Sequence, residues 1–346
     1  MKRDHVFRNL ALLLGALSFL TSAAFGGTVL LNGAGATFPY PIYSKWFDLF
    51  AKVEPGVRFN YQSIGSGGGI RQITEKTVDF GATDGPMTDD QLWKVSGALL
   101  HFPTVLGGDV AAYNIPEVRE KLNFTQKALV GIFTGTLTRW NDPELARVNP
   151  GATLPDKPII LVHRSDGSGT TYIWTDFLSK VSPEWEKKVG RSTSVNWPVG
   201  IGGKGNEGVS GLVKQTPYSI GYVEWGYAIH SHLTFGLIEN AEGEFVDCTV
   251  ESITKAASAA VKTMPSDFRV SITNAPGKGA YPAASFTWLL IYREQENAIK
   301  GEAIIKFLHW MLHEGQRYAP DLGYAPLPEE VISMVEKAID KIVIKK

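Results

Sequence analysis

Apolar and polar positions alternate in short bursts along this chain, and each burst gives way to a glycine-rich turn and then to apolar residues at helical spacing. Residues 28–31 form the first β-patterned run, which ends in Gly33, Ala34, Gly35, Ala36, Thr37, Phe38 and Pro39; behind it Tyr43, Trp46, Phe47 and Phe50 recur along one helical face. The unit repeats with a strand over 57–61, a turn over 65–69 and a helix over 70–75. A third strand, 78–82, runs into Thr83, Asp84, Gly85 and Pro86. A fourth, 158–163, runs into Arg164, with Tyr172, Phe177 and Leu178 marking the helix beyond. Strands alternating with helices predict an α/β fold with largely parallel sheets.

In open α/β sheets a ligand binds beyond the carboxyl ends of the strands, where loops lead into helix N-termini. All four glycine- or hydroxyl-rich segments fall at such ends, three of them early and the fourth about eighty residues later. A ligand touching all four therefore sits between two lobes. With 346 residues, the chain has material for roughly two ordinary domains. The stretches 100–108 and 279–288 each join a polar or glycine-rich approach to an apolar strand, and they are the expected crossings. The expected division is a leader over 1–26, a discontinuous first lobe of 27–104 plus 284–346, and a second lobe of 105–283. The first lobe would be completed by C-terminal helices, one of them begun by Pro328 and faced by Val331, Val335 and Ile339.

The N-terminus changes the picture by adding a destination. Lys2, Arg3 and Arg8 precede an apolar run over 10–20, and Ser22, Ala23 and Ala24 follow it, the three zones of a cleavable signal peptide. The run is shorter than the about 20 residues of a spanning helix. A soluble protein of the periplasm is expected, cleaved after Ala24 or Gly26. Cys248 is the only cysteine, which excludes an internal disulfide and places no lipid-anchoring thiol near the cleavage region; a buried, inert thiol is expected. The formal charge of −1 becomes about −3 once Lys2, Arg3, Arg8 and Asp4 leave with the leader. That balance, without any basic run, disfavours nucleic acid as a partner. An anion would have to be held by local geometry.

The segment Arg164 to Thr170 supplies such geometry. A guanidinium grips two oxygens of a tetrahedral anion at once and keeps its charge. Ser168 and Thr170 offer hydroxyls, Gly167 and Gly169 let the backbone approach closely, and the following helix presents its positive end. The same residues also suit a plain helix cap by Asp166 or Ser168, with Asp166 better placed to orient Arg164 than to face an anion. Thr37, Phe38 and Ser66 combine hydroxyls and N–H groups at the ends of earlier strands. Asp84 is the oddity, since a carboxylate beside an anion repels it unless the anion brings a proton. Phosphate near neutral pH retains one and sulfate does not, so a required hydrogen bond of this kind would discriminate strongly.

These stretches together resemble the PstS family, the periplasmic phosphate-binding proteins of the high-affinity phosphate ABC transporter. The resemblance is carried by GAGATFP (33–39), GSGGG (65–69), DFGATD (79–84), FPTVLGG (102–108), HRSDGSGT (163–170), WPVGIGGKGNEG (197–208) and IGYVEW (220–225), in the family's order and approximate spacing. It implies a two-lobed periplasmic-binding-protein fold of type II, with the ligand in the interlobe cleft. It also implies phosphate contacts at Thr37, Phe38 (backbone), Ser66, Asp84, Arg164, Ser168, Gly169 (backbone) and Thr170, with Asp166 behind Arg164. Inorganic phosphate and an inner-membrane ABC permease and ATPase complex are the implied partners of a monomer that is not an enzyme and uses no cofactor or metal. Three departures touch the site. Gly67 stands where a second serine is common, so one possible hydroxyl contact is lost although the N–H remains; Thr83 stands for a serine, and His163 for an arginine.

Other readings of the motifs are weaker. Gly200 to Gly205 matches G-x-G-x-x-G but follows Trp197 and Pro198, not a clear strand, and reads as a flexible loop near the cleft. His309 and His313 lie four apart without a third metal ligand in view. The remaining functional alternatives are an exported phosphohydrolase using Ser66 or Ser168, or a phosphate-scavenging surface protein. Neither serine lies in a nucleophile elbow or beside a histidine in sequence.

Overall fold

The computed structural model describes residues 27–345; the leader expected over 1–26 lies outside them. Eight strands carry the main sheet: Val29–Gly35 (β1), Val57–Ser63 (β2), Phe80–Thr83 (β3), Leu99–Asn114 (β4), Ile160–Arg164 (β5), Ile201–Gly203 (β6), Ser219–Glu224 (β7) and Ala284–Tyr292 (β8). Their order is β2-β1-β3-β8-β4-β7-β5-β6, and the short strand Thr234–Phe235 adds to β4. Both ends of the sheet are parallel wings, β2-β1-β3 and β7-β5-β6. Between them β4 and β8 run antiparallel to each other and to the wings. The parallel pairing expected from alternating strands and helices therefore holds in the wings, while long-range crossing strands break it in the middle.

The 16 residues of β4 pair with β8 up to Gly108 and with β7 from Asp109 onward, so one strand carries the sheet from one wing to the other. Helices follow the carboxyl ends of the wing strands: Tyr40–Val53 (α1) after β1, Ser66–Thr74 (α2) after β2, Gly169–Val181 (α3) after β5 and Gly205–Gln215 (α4) after β6. In α1 the residues Ile42, Tyr43, Trp46 and Phe50 are buried, and Phe47 stacks on Phe59 of β2 at 4.3 Å between ring centres. In the other wing Trp174 of α3 stacks on Tyr222 of β7 at 5.5 Å. Aromatic contacts of this kind add stability beyond the area they bury. A last helix, Glu329–Ile339 (α5), starts after Pro328 and buries Val331, Val335 and Ile339.

Several boundaries differ from the sequence pattern for physical reasons. The pattern predicts a turn over 65–69 before a helix at 70, yet only Gly65 stays outside and residues 66–69 form the first turn of α2 itself. There Gly69 packs so closely on Gly35 that a side chain would strike the backbone, and packing overrides the poor helix propensity of glycine. β5 extends through Arg164, whose partner in register is Gly203 of β6. Gly200 to Gly205 is accordingly not a flexible loop: it supplies the edge strand β6 and the first residue of α4. Cys248 is buried and free, and burial pushes its thiol well above the ordinary value. Among the described residues no helix is long and apolar enough to cross a membrane.

Candidate functional site

Arg164 ends β5 with its backbone N–H donated to the Tyr222 hydroxyl at 3.1 Å. Its buried guanidinium donates from Nε to Asp166 Oδ1 at 2.7 Å, from Nη2 to the other Asp166 oxygen, and from Nη1 to Thr170 Oγ1 at 3.2 Å. Burial pushes the Asp166 carboxyl up, but the hydrogen bonds and charge of Arg164 outweigh it and hold the group below the ordinary carboxylate range. Ser168 caps α3 by accepting the Thr171 N–H at 3.0 Å. The two readings of the loop are thus both present: Ser168 is the cap and Asp166 orients the guanidinium. By helix geometry the first N–H groups of α3, those of Gly169 and Thr170, have no intrahelical acceptor.

The opposing wall comes from the other wing. Thr37 and Phe38 precede α1, Ser66 opens α2, and Asp84 follows β3; all four are buried. Asp84 Oδ1 accepts the Thr287 hydroxyl at 2.8 Å and Oδ2 faces Ser66 Oγ at 3.4 Å, while Ser66 Oγ accepts the Asp84 N–H at 3.2 Å. Burial pushes the Asp84 carboxyl up to about 7, against the lowering effect of Thr287, Arg164 and Ser66. The two walls meet directly. A Cβ on Gly169 would run into the side-chain oxygens of Asp84 and Ser66. Thr37, Phe38, Ser66, Asp84, Arg164, Ser168 and Thr170 are all buried, and Gly169 brings the Arg164 loop against Asp84 and Ser66.

Sequence reasoning missed the groups that fasten the walls together. Asn206, at the start of α4, donates from Nδ2 to Thr37 Oγ1 at 2.9 Å and to Thr170 Oγ1 at 3.1 Å, and its Oδ1 accepts the Glu224 N–H at 3.0 Å. Tyr227 donates its hydroxyl to the Thr37 carbonyl at 2.7 Å, and Tyr324 does the same for Phe38 at 2.6 Å. The Gly67 N–H, which remains where a serine hydroxyl is lost, is donated to the Gly167 carbonyl across the cleft at 2.9 Å. A Cβ at Gly67 would stand 3.1 Å from the Gly167 Cα, so the missing side chain is what lets the backbones touch. These bonds between wings mark a closed conformation.

Closure at this distance tolerates no added atom. Gly169→Ala should hold the cleft ajar, and since overpacking costs about 1–3 kcal/mol, anion affinity should fall roughly tenfold to a hundredfold. Calorimetric titration reads the affinity. Small-angle scattering with and without the anion should show a smaller compaction than in the wild type.

Two α/β wings joined by crossing strands, with a buried polar site between them, define a two-lobed solute-binding protein. Residues 22–314 match the family model described as a PBP superfamily domain. The chain is 45% identical over 322 residues to the phosphate-binding protein PstS of Pasteurella multocida (strain Pm70), covering 93% of each chain. It is also 45% identical over 307 residues to PstS of Haemophilus influenzae (strain ATCC 51907 / DSM 11121 / KW20 / Rd), covering 88% of this chain and 91% of that one. The chain belongs to the PstS family of phosphate-binding proteins. The fold is shared with a Clostridium perfringens phosphate ABC transporter substrate-binding protein solved with bound phosphate: TM-score 0.63, 18% identity, 86% of this chain and 100% of that one. A phosphate-binding protein from Stenotrophomonas maltophilia gives a TM-score of 0.69 at 17% identity, over 90% and 94% of the two chains.

Proposed function

We propose that this protein is exported to the periplasm, captures inorganic phosphate there and delivers it to a membrane ABC permease and ATPase complex. The observation that carries this reading is the meeting of a charged donor and a buried acceptor in one site. Arg164 offers fixed positive charge, while Asp84 demands a proton from whatever anion lies beside it. Among common oxyanions at neutral pH, phosphate meets both conditions. Thr37, the Phe38 backbone, Ser66 and Asp84 hold the ligand from a lobe formed by 27–104 and 284–346. Arg164, Ser168, the Gly169 backbone and Thr170 hold it from a lobe formed by 105–283. The lobes turn about β4 and β8, and the closed form is what the permease recognises.

A receptor role is the reading the relatives' names support; among the described residues the hydrogen-bond partners of Ser66 and Ser168 include no histidine. Calorimetric titration of the protein with phosphate and with sulfate tests the reading. Phosphate should bind one to one and sulfate about four to five orders of magnitude more weakly, as in a site that requires one specific hydrogen bond. A chromogenic phosphomonoester should not turn over. Equal affinity for the two anions, or steady hydrolysis, would defeat the proposal.

A further inference from the structure

A second carboxyl lies on the cleft floor, outside the set of residues so far assigned to the ligand. Asp109 is the first residue of β4 to pair with β7, and Glu224 stands directly opposite it in the antiparallel register. Directly opposed residues share a face, with Cβ atoms about 4.5–5.5 Å apart. That face is the cleft side. Two positions earlier, a side chain on Gly107 would meet the Phe38 ring, and Ser285, opposite Gly107, donates its hydroxyl toward the Asp84 carbonyl at 3.4 Å. Side chains along a strand repeat every second residue, so Asp109 faces the same way.

The two opposed acids are provided for unequally. Glu224 accepts the Gly226 N–H at 2.9 Å and the Tyr227 N–H at 3.3 Å, with the Tyr324 hydroxyl also at 3.3 Å. Asp109 is fully buried, and neither of its carboxyl oxygens has a partner among the described residues. The titratable groups around it are Asp84 just after β3, Glu224 and Tyr222 from β7, and Arg164 from β5, with Cys248 and Tyr281 behind the strand. Tyr281 donates only to the Asp109 backbone carbonyl, at 2.8 Å. Arg164, the one cation in that group, is already paired with Asp166.

An ionised carboxylate buried without a donor, opposite another acid and near a bound anion, is too costly to persist. Burial pushes the Asp109 carboxyl well above its ordinary value, and the charges of Asp84 and Glu224 add to this more than Arg164 offsets it. We propose that Asp109 is a proton-binding site coupled to anion capture: the cleft closes over phosphate only with a proton on this carboxyl, taken up from solvent. The proposal rests on the reading of the cleft as a phosphate site. In the open form Asp109 meets water and ionises as an ordinary carboxylate does. Its raised closed-form value then favours closure fully below the ordinary carboxylate range. The advantage is lost as pH rises toward the raised value.

The test is calorimetric titration of the whole protein with inorganic phosphate from pH 5 to 8.5, in buffers of different ionisation enthalpy, on wild type and Asp109→Asn. Phosphate's own ionisation is common to both proteins, and the contribution of Asp84, whose charge acts on Asp109, is read from the same titration on Asp84→Asn. Wild-type affinity should fall more steeply with pH than that of Asp109→Asn, by up to about tenfold per pH unit, with up to about one more proton taken up per phosphate bound. Asp109→Val, a residue suited to a strand, should behave as Asp109→Asn does and serves if that variant fails to fold. Tight binding by both proteins with equal slopes and equal proton counts would overturn the proposal and leave the phosphate reading standing. If the wild type bound no phosphate at any pH, the phosphate reading itself would fail.

Discussion

Arg164→Ala should weaken phosphate binding by roughly two to four orders of magnitude, the largest loss expected from any single substitution in the cleft. A hydrogen bond to a charged group contributes about 1.5–3 kcal/mol, and a guanidinium can give a tetrahedral anion two of them, or about 3–6 kcal/mol in all. Water that would screen the interaction is shut out, because Arg164 is only 3% exposed. The substitution also strands Asp166, whose side chain is 13% exposed and would keep only the Gly205 N–H as a donor, at 3.0 Å. Removing one partner of a buried pair costs about 3–5 kcal/mol, so the melting temperature should drop even without phosphate. Arg164→Lys should restore part of the stability but little of the affinity, since an ammonium cannot reach Asp166 and the anion in one plane. Calorimetry on the three proteins, with thermal melts in phosphate-free buffer, separates the two effects. An Arg164→Ala protein that bound phosphate within tenfold of wild type would show that the guanidinium does not touch the ligand.

Arg164 and Asp166 were legible because their interaction is local: two residues apart, at the end of an apolar strand and ahead of a helical pattern. Thr37, Ser66 and Asp84 were legible as a group, since each follows a strand and precedes a turn or helix. Asn206 was not. Its placement depends on β6, three residues of which two are glycine, and such a strand is defined by pairing with β5 and not by any alternation of its own. Lys204 and Gly205 therefore read as part of a loop, although with Asn206 they open a helix whose start meets Thr37 and Thr170. The opposition of Asp109 and Glu224 was hidden for a related reason. Neither carries a local signal of its own beyond the cap that Glu224 gives the helix Trp225–His230. Only the antiparallel register of two strands more than a hundred residues apart brings the carboxyls face to face. The glycines of 65–69 misled in the opposite direction, because their turn propensity is real but close packing on Gly35 decides the outcome.

The last expectation concerns which anion is chosen. Asp84→Asn should lower phosphate affinity and raise sulfate affinity, shrinking their ratio from about four or five orders of magnitude to within roughly two. Asp84 is 1% exposed and receives one firm hydrogen bond, the 2.8 Å contact from Thr287. As a carboxylate it therefore has acceptor capacity left over, which a phosphate proton fills and sulfate cannot. Asparagine turns part of that acceptor into a donor, removing both the reward for phosphate and the repulsion of sulfate. The pH dependence follows from the closed-form value of about 7 set by burial. A carboxyl raised above its ordinary value favours the closed form fully below the ordinary range and loses that contribution as pH climbs to about 7. Below about 7 Asp84 carries its own proton and can donate to sulfate. Wild-type sulfate binding should therefore strengthen on acidification, by up to about tenfold per pH unit beyond whatever Asp84→Asn shows. Competition titrations of both proteins with phosphate and sulfate at pH 5.5 and 8 read this out. If selectivity and its pH dependence were the same in the two proteins, the choice between anions would lie elsewhere in the cleft.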